Sequence, residues 1–141
     1  MIKASKKILP GTVLASALIV GASLNPAFAG DVCTSEGAEV DESTWLGSKI
    51  YDRTFGRGCG TCHDVSPNPN LLESVKKLSK EEFATVLMNG RNGMPKAIEA
   101  IQAVGPVKKA GLSDEQAVEA IWMYLNCRSE GKIPAKVKKK K

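Results

Sequence analysis

Five consecutive residues, Cys59-Gly60-Thr61-Cys62-His63, carry the clearest signal in this 141-residue chain. They match the pattern C-x-x-C-H, to which a c-type haem is attached. Each cysteine adds across one vinyl group of the porphyrin, and the two intervening residues allow both sulfurs to reach one edge of the ring. The adjacent histidine then lies under the iron as an axial ligand. We therefore predict a single covalent haem c, bound by Cys59, Cys62 and His63.

Two other chemistries use a C-x-x-C pair. A thioredoxin-like redox pair belongs to a βαβ unit, and the chain has no such pattern. A tetrahedral zinc site built from Cys59, Cys62 and His63 would crowd its adjacent ligands, and His63 is the only histidine in the chain. The haem interpretation is favoured over both.

An electron-transfer haem normally has a second axial ligand from the protein, and a soft methionine thioether raises its reduction potential. Met94 is the best candidate because Gly93 and Pro95 restrict the backbone on either side of it. Met88 and Met123 fall inside predicted helices, where packing in the core explains a methionine. We predict that Met94 is the sixth iron ligand. A core methionine that fills a gap is the alternative.

Residues 1–29 have the pattern of a secretory signal peptide. Lys3, Lys6 and Lys7 precede an apolar run, and small residues precede the predicted cleavage site after Ala29. An uncleaved membrane anchor is the alternative, but the apolar run has no flanking stop-transfer pattern. We predict export to the periplasm and a mature chain without a membrane span.

Charge divides the mature chain into three parts. Residues 30–42 form an acidic leader, residues 43–130 form the predicted domain, and residues 131–141 form a lysine-rich tail. The whole chain has a formal net charge of +5, but the segment 30–135 has 12 basic and 15 acidic residues. No nucleic-acid-binding surface is therefore predicted. The tail either steers the protein toward an acidic partner or an anionic membrane, or is simply solvated.

The domain is predicted to be small and all-α, with helices and loops wrapped around the haem. Ser79 and Glu82 form a capping box at the start of one helix, and Ser113 caps the last helix. No strand and no internal repeat is predicted. The predicted helices span 43–53, 80–89, 96–104 and 114–127. The side chains predicted to face inward are Trp45, Leu46, Ile50, Tyr51, Phe83, Val86, Leu87, Ala117, Ala120, Ile121, Tyr124 and Leu125.

In the order of these features, the chain resembles the class I monohaem cytochromes c across nearly its whole mature length. Gly47 and Tyr51 on the first helix, with Tyr124 on the last, match a set that packs these two helices together in that family. Residues 89–95 resemble the methionine loop of the family. The resemblance implies the cytochrome c fold and an electron-transfer protein rather than an enzyme.

Pro69 lies in a segment that resembles the proline loop of the family, with Asn68 where glycine is usual. The resemblance implies that the carbonyl of Pro69 accepts a hydrogen bond from the His63 Nδ1–H. Such a bond fixes the orientation of the ring and tunes its strength as a donor to iron.

Cys33 and Cys127 are additional cysteines outside the haem motif. In an oxidising compartment, an even number of such residues predicts a disulfide between them, which would tie the leader to the last helix. Two free thiols or an intermolecular bond are the alternatives.

With both axial positions filled, the iron can exchange electrons but cannot bind a substrate. We predict a monomeric periplasmic one-electron carrier between redox proteins: a donor such as a dehydrogenase, and a respiratory acceptor, an oxidase or a reductase. A dedicated cytochrome subunit of one dehydrogenase complex is the second hypothesis. Haem catalysis or gas sensing is the third, and it requires Met94 to be off the iron.

Overall fold

The computed structural model describes Cys33 and residues 37–141. The predicted signal peptide and its cleavage site therefore lie outside the described residues. The described chain is mainly helical, as predicted. Its elements are β1 (Glu39–Val40), α1 (Glu42–Arg53), a 3-10 turn (Thr54–Gly56), α2 (Gly60–His63), α3 (Leu71–Ser74), α4 (Lys80–Asn89), α5 (Ile98–Gln102), α6 (Gly105–Ala110), α7 (Asp114–Ser129) and β2 (Lys138–Lys139).

The long helices α1 and α7 pack against each other at the centre of the fold. They approach closely because Gly47 has no side chain: a Cβ at this position would overlap the backbone carbonyl of Ala120. Beside this contact, the rings of Tyr51 and Tyr124 meet at a centroid distance of 5.8 Å and an angle of 55°. The packing that the resemblance implied for Gly47, Tyr51 and Tyr124 is therefore present.

Two helices begin at capping boxes. The Ser79 hydroxyl accepts a hydrogen bond from the Glu82 N–H, and the Glu82 carboxylate accepts one from the Ser79 N–H. Ser113 and Gln116 repeat this arrangement at the start of α7. Each box pairs two backbone N–H groups that the first turn of a helix leaves without a partner. The predicted starts of α4 and α7 are confirmed.

Most of the predicted inward positions are buried, but Trp45 and Val86 are only partly buried. Trp45 lies at the edge of the core, where the ammonium groups of Lys49 and Lys139 are 5.4 Å and 6.0 Å from its ring centroid. The periodicity of α1 places this side chain on the inner face, but the end of the chain reaches it from outside. The ring therefore takes a position between the core and two cations.

The prediction that the chain has no strand is wrong near the two ends of the described residues. β1 and β2 pair in parallel, with Glu39 opposite Lys138 and Val40 opposite Lys139. Val40 and Val137 are buried, so this pairing attaches the tail to the core. Two-residue strands escape a search for alternating hydrophobicity because that pattern needs four or more residues. The backbone of 137–140 is thus part of the packed body, and the interpretation of the tail as a solvated extension does not hold there.

The segment 96–111 contains two short helices, whereas the only helix predicted here spans 96–104; α5 lies inside that span and α6 lies beyond it. α5 ends at Gln102, and α6 begins at Gly105 with Pro106 in its first turn, a position that favours proline because it needs no N–H donor. Ile101, Val104 and Val107 are buried, so both helices contribute to the core. The single turn α3 is also absent from the predicted helices.

Cys33 and Cys127 form a disulfide, with 5.4 Å between their Cα atoms. Cys127 is fully buried near the end of α7. The bond ties the leader to the last helix, as predicted. Together with the β1–β2 pairing, it ties the segments at both ends of the described chain to the packed body.

Candidate functional site

The C-x-x-C-H residues follow a tight turn at the end of α1. Gly58 has φ +85°, and a Cβ there would lie 2.7 Å and 2.8 Å from the carbonyl oxygens of Tyr51 and Asp52. A left-handed backbone in so little space accepts only glycine. The turn places the Cys59 N–H 2.8 Å from the Tyr51 carbonyl oxygen, so the motif begins against the last turn of α1.

The two motif cysteines lie on a single turn of helix. Cys59 and Cys62 are free thiols; Cys59 is half-buried and Cys62 is exposed. Burial raises the pKa of the Cys59 thiol to about 11, so this group stays neutral at physiological pH. The Thr61 hydroxyl donates to the carbonyl of Arg57, which closes the preceding turn onto α2.

His63 is held by the proline segment. Its Nδ1 lies 2.8 Å from the carbonyl oxygen of Pro69, the contact that the resemblance implies. A carbonyl only accepts, so Nδ1 carries the proton and Nε2 has a lone pair available for a metal. Asn68, the departure from the family pattern, donates through Nδ2 to the Cys62 carbonyl at 2.9 Å and so caps α2. Asn70 caps α3 by accepting from the Leu72 N–H at 2.8 Å.

Met94 follows a two-residue turn built from Asn92 and Gly93. Their φ angles are +49° and +87°, the left-handed pair that suits an Asn-Gly hairpin turn. Arg91 and Met94 exchange backbone hydrogen bonds of 3.1 Å and 2.8 Å across it. Gly90 allows this closure, because a Cβ there would lie 2.5 Å from the Met94 carbonyl oxygen. The Met94 side chain is partly buried and packs against the core.

Comparison with known proteins agrees with this geometry. A family model described as "Cytochrome C oxidase, cbb3-type, subunit III" matches residues 47–125. Cytochrome c-555 of Methylococcus capsulatus (strain ATCC 33009 / NCIMB 11132 / Bath) is 35% identical over 135 residues, which cover 92% of this chain and 92% of that protein.

The chain belongs to the cytochrome c family. It is accordingly a monohaem c-type cytochrome that carries electrons, and its family implies a covalently bound haem. No solved structure matches the chain at a significant level. Within Cys33 and 37–141, no helix of this cytochrome has the length and apolar character needed to cross a bilayer.

The surroundings of the motif in this cytochrome fit a haem. Cys59 and Cys62 are separate from the disulfide, so both sulfurs are available for attachment. Phe55 and Val65 lie on either side of the motif in the chain, and their side chains are 48% and 54% exposed. Among the described residues they are the large apolar side chains with the greatest exposure, and a porphyrin covers surface of this kind.

The other two methionines of the described chain are explained by packing. Met123 is buried on α7, and its sulfur lies 3.8 Å from the Ser43 hydroxyl, which donates to it. Met88 lines a shallow groove between α4 and α7 with Ala84 and Val118. Packing accounts for Met88 and Met123 without a role at the iron. Met94 therefore remains the candidate axial ligand in this cytochrome.

Sequence reasoning missed a contact that Tyr51 makes beside the motif. The Tyr51 hydroxyl donates to Asp64 Oδ1 at 2.7 Å, immediately after His63. Burial, followed by the hydrogen bond to Asp64 and the charge of that carboxylate, raises the pKa of Tyr51 well above its usual range, so the phenol remains a donor. The sequence did contain a signal for this contact. Tyr51 is predicted to face inward, and the hydroxyl of a buried tyrosine usually has a hydrogen-bond partner.

Proposed function

We propose that this protein is a periplasmic electron carrier in which Cys59 and Cys62 attach the haem while His63 and Met94 bind its iron. The observation that carries the proposal is the contact between His63 Nδ1 and the Pro69 carbonyl. It selects the tautomer with a free Nε2 and orients the ring before any iron is bound. A histidine with only a structural role would not require an oriented ring and a free Nε2 beside the two free thiols of Cys59 and Cys62.

The bound haem would supply an iron that gains and loses one electron. The chain contributes by holding both sides of that site. His63 is oriented by Pro69, and Met94 is held by the turn at Asn92 and Gly93. A thioether supplied by Met94 would favour the reduced iron and, together with His63, would leave it no position for a substrate. These features favour electron transfer over haem catalysis or gas sensing.

The predicted signal peptide supports a periplasmic location. The Cys33–Cys127 disulfide requires oxidising conditions. In that compartment the protein would accept electrons from a dehydrogenase or another reductant and pass them to an oxidase or a reductase. Contacts of this kind are weak and brief, which suits a monomer.

An absorption spectrum of the oxidised protein tests the axial ligands. We expect a methionine-to-iron charge-transfer band in the wild type and its loss in Met94→Ala, with rapid carbon monoxide binding when that variant is reduced. Met88→Ala is the matched control and should retain the band, because Met88 lines the α4–α7 groove. A wild-type protein that lacks the band and binds carbon monoxide rapidly would refute the carrier proposal.

A second candidate function is a dedicated cytochrome subunit of one enzyme complex. The matching family model, which describes a subunit of an oxidase, favours it. A separate carrier is favoured by cytochrome c-555, whose name refers to no enzyme complex and which matches this chain over nearly the full length of both proteins. Gel filtration of a native extract, followed at the haem absorbance, separates the two candidates. A carrier elutes at the size of one chain, whereas a subunit elutes with its enzyme.

A further inference from the structure

Tyr51 contacts the haem-attachment motif at both of its ends. Its carbonyl oxygen accepts a hydrogen bond from the Cys59 N–H at 2.8 Å, where the motif begins. Its hydroxyl donates to Asp64 Oδ1 at 2.7 Å, one residue after the motif ends. A single residue of α1 therefore spans the five motif residues.

The side chain that makes this contact cannot move freely. Tyr51 is only 8% exposed, and its ring packs against Tyr124. The guanidinium carbon of Arg128 lies 5.4 Å from the Tyr51 ring centroid and 5.6 Å from that of Tyr124. The hydroxyl of Tyr51 is thus presented to Asp64 from a rigid aromatic base.

Gly60 leaves room for the Asp64 carboxylate. A Cβ on Gly60 would overlap Asp64 Oδ2 and would lie 3.1 Å from the Tyr51 hydroxyl. The Cα of Gly60 therefore faces the Tyr51–Asp64 pair. The carboxylate consequently lies against α2, the helical turn that carries Cys62 and His63.

We propose that Tyr51 is a positioning residue that holds the Asp64 carboxylate beside His63, and that this fixed negative charge lowers the reduction potential of the haem. A nearby negative charge stabilises the oxidised iron, which has one more positive charge than the reduced iron. Asp64 directly follows the proposed axial ligand His63, and its carboxylate is held against the helical turn that carries this ligand. The inference rests on the proposed axial role of His63.

The test measures the midpoint potential of the full-length holoprotein in a set of variants. Asp64→Asn keeps the shape and an acceptor for Tyr51 but removes the charge, so the potential should rise. Tyr51→Phe keeps the ring and the backbone bond to Cys59 but releases the carboxylate toward solvent. It should raise the potential by less. In the Asp64→Asn background, Tyr51→Phe should produce no further shift, because the pair acts as one unit.

Tyr124→Phe is the matched control. It removes a phenol hydroxyl from the same aromatic cluster, but that hydroxyl donates to the Ala135 carbonyl at 2.7 Å and does not contact the motif. This variant should lose stability and keep the wild-type potential. A purely structural role for Tyr51 predicts instead that both tyrosine variants behave alike.

Three results of the potential measurements would overturn the inference. They are an unchanged potential in Asp64→Asn, independent shifts that add in the double variant, and a shift in Tyr124→Phe equal to that in Tyr51→Phe. Each variant is first examined for a haem that stays with the denatured chain and for the methionine charge-transfer band. A potential shift in Asp64→Asn accompanied by loss of the band would also contradict a role through charge. A wild-type protein without covalent haem would refute the proposed function itself.

Discussion

Gly47 on α1 lies so close to Ala120 on α7 that a single added methyl group would overlap the Ala120 carbonyl oxygen. The overlap is with backbone, which cannot rotate away as a flexible side chain can. The distance between the two central helices is therefore set by the absence of a side chain at position 47. Everything that α1 positions, including the start of the haem motif, depends on this approach.

Replacing Gly47 with alanine should lower the free energy of unfolding by about 1–3 kcal/mol, the usual cost of overfilling a packed core. Urea denaturation followed by circular dichroism measures the change. Gly105→Ala is the matched control, because a Cβ at Gly105 meets no atom within 4 Å and its φ is not left-handed. That variant should be neutral or slightly more stable. Equal stability of the two variants would contradict the close contact.

Removing the Cys33–Cys127 disulfide should destabilise the protein strongly. The bond joins residues separated by 94 positions, and the chain-entropy model gives about 4–5 kcal/mol for a loop of this length. The double variant Cys33→Ser/Cys127→Ser, compared with the wild type by urea denaturation, measures this contribution. The haem absorbance should be retained, since Cys59 and Cys62 are not involved. An unchanged denaturation midpoint would show that the closed loop contributes little.

The tail should be held by burial more than by charge. Val137 is 7% exposed, so Val137→Ala should cost about 1–2 kcal/mol for the apolar groups removed. Lys139 and Glu42 form an ion pair at 2.6 Å, and their side chains are 45% and 58% exposed, respectively. Because exposed ion pairs stabilise little, Lys139→Ala should cost at most about 1 kcal/mol. Unfolding experiments at low and high salt compare the two variants. If Lys139→Ala destabilises the protein more than Val137→Ala at both salt concentrations, the prediction that burial outweighs charge is wrong.

Alkaline pH should destabilise the fold partly through Tyr124. Burial raises the pKa of this phenol above that of an unfolded tyrosine, about 10. As the pH rises, the Tyr124 phenol therefore loses its proton in the unfolded chain before it does so in the folded protein. The stability that the neutral phenol contributes below pH ~10 is progressively lost above that pH. Stability curves of wild type and Tyr124→Phe test this expectation. The variant should be less stable at neutral pH, yet should lose less stability above pH ~10. Parallel curves would exclude the contribution.

Some features of the site followed from residues close together in the chain. The spacing of Cys59, Cys62 and His63 is matched to one porphyrin edge, so five letters suffice to predict attachment. Ser79 and Ser113 begin their helices through partners three residues away, which explains why those boundaries were predicted well. The resemblance to a family added the contact between His63 and Pro69, six residues apart.

Other features depended on contacts that neither a spacing rule nor the family resemblance predicts, and these were missed. The Tyr51–Asp64 bond depends on how the turn at Gly58 folds back on α1. Asn68 replaces the usual glycine by capping α2, a role that no spacing rule identifies. Trp45 has the periodicity of a core residue, but its final exposure depends on Lys139 at the other end of the chain.

The sequence was sufficient to predict haem attachment and the helix starts, because the C-x-x-C-H spacing and the capping boxes are local patterns. The pairing of β1 with β2 depended on the packed fold. Glu39 pairs with Lys138 because the packing of α1 against α7 brings together the segments that flank these helices, and Val40 and Val137 then bury their side chains there. A run of lysines carries no sign of that partner, since burial is a property of the assembled core and not of the segment.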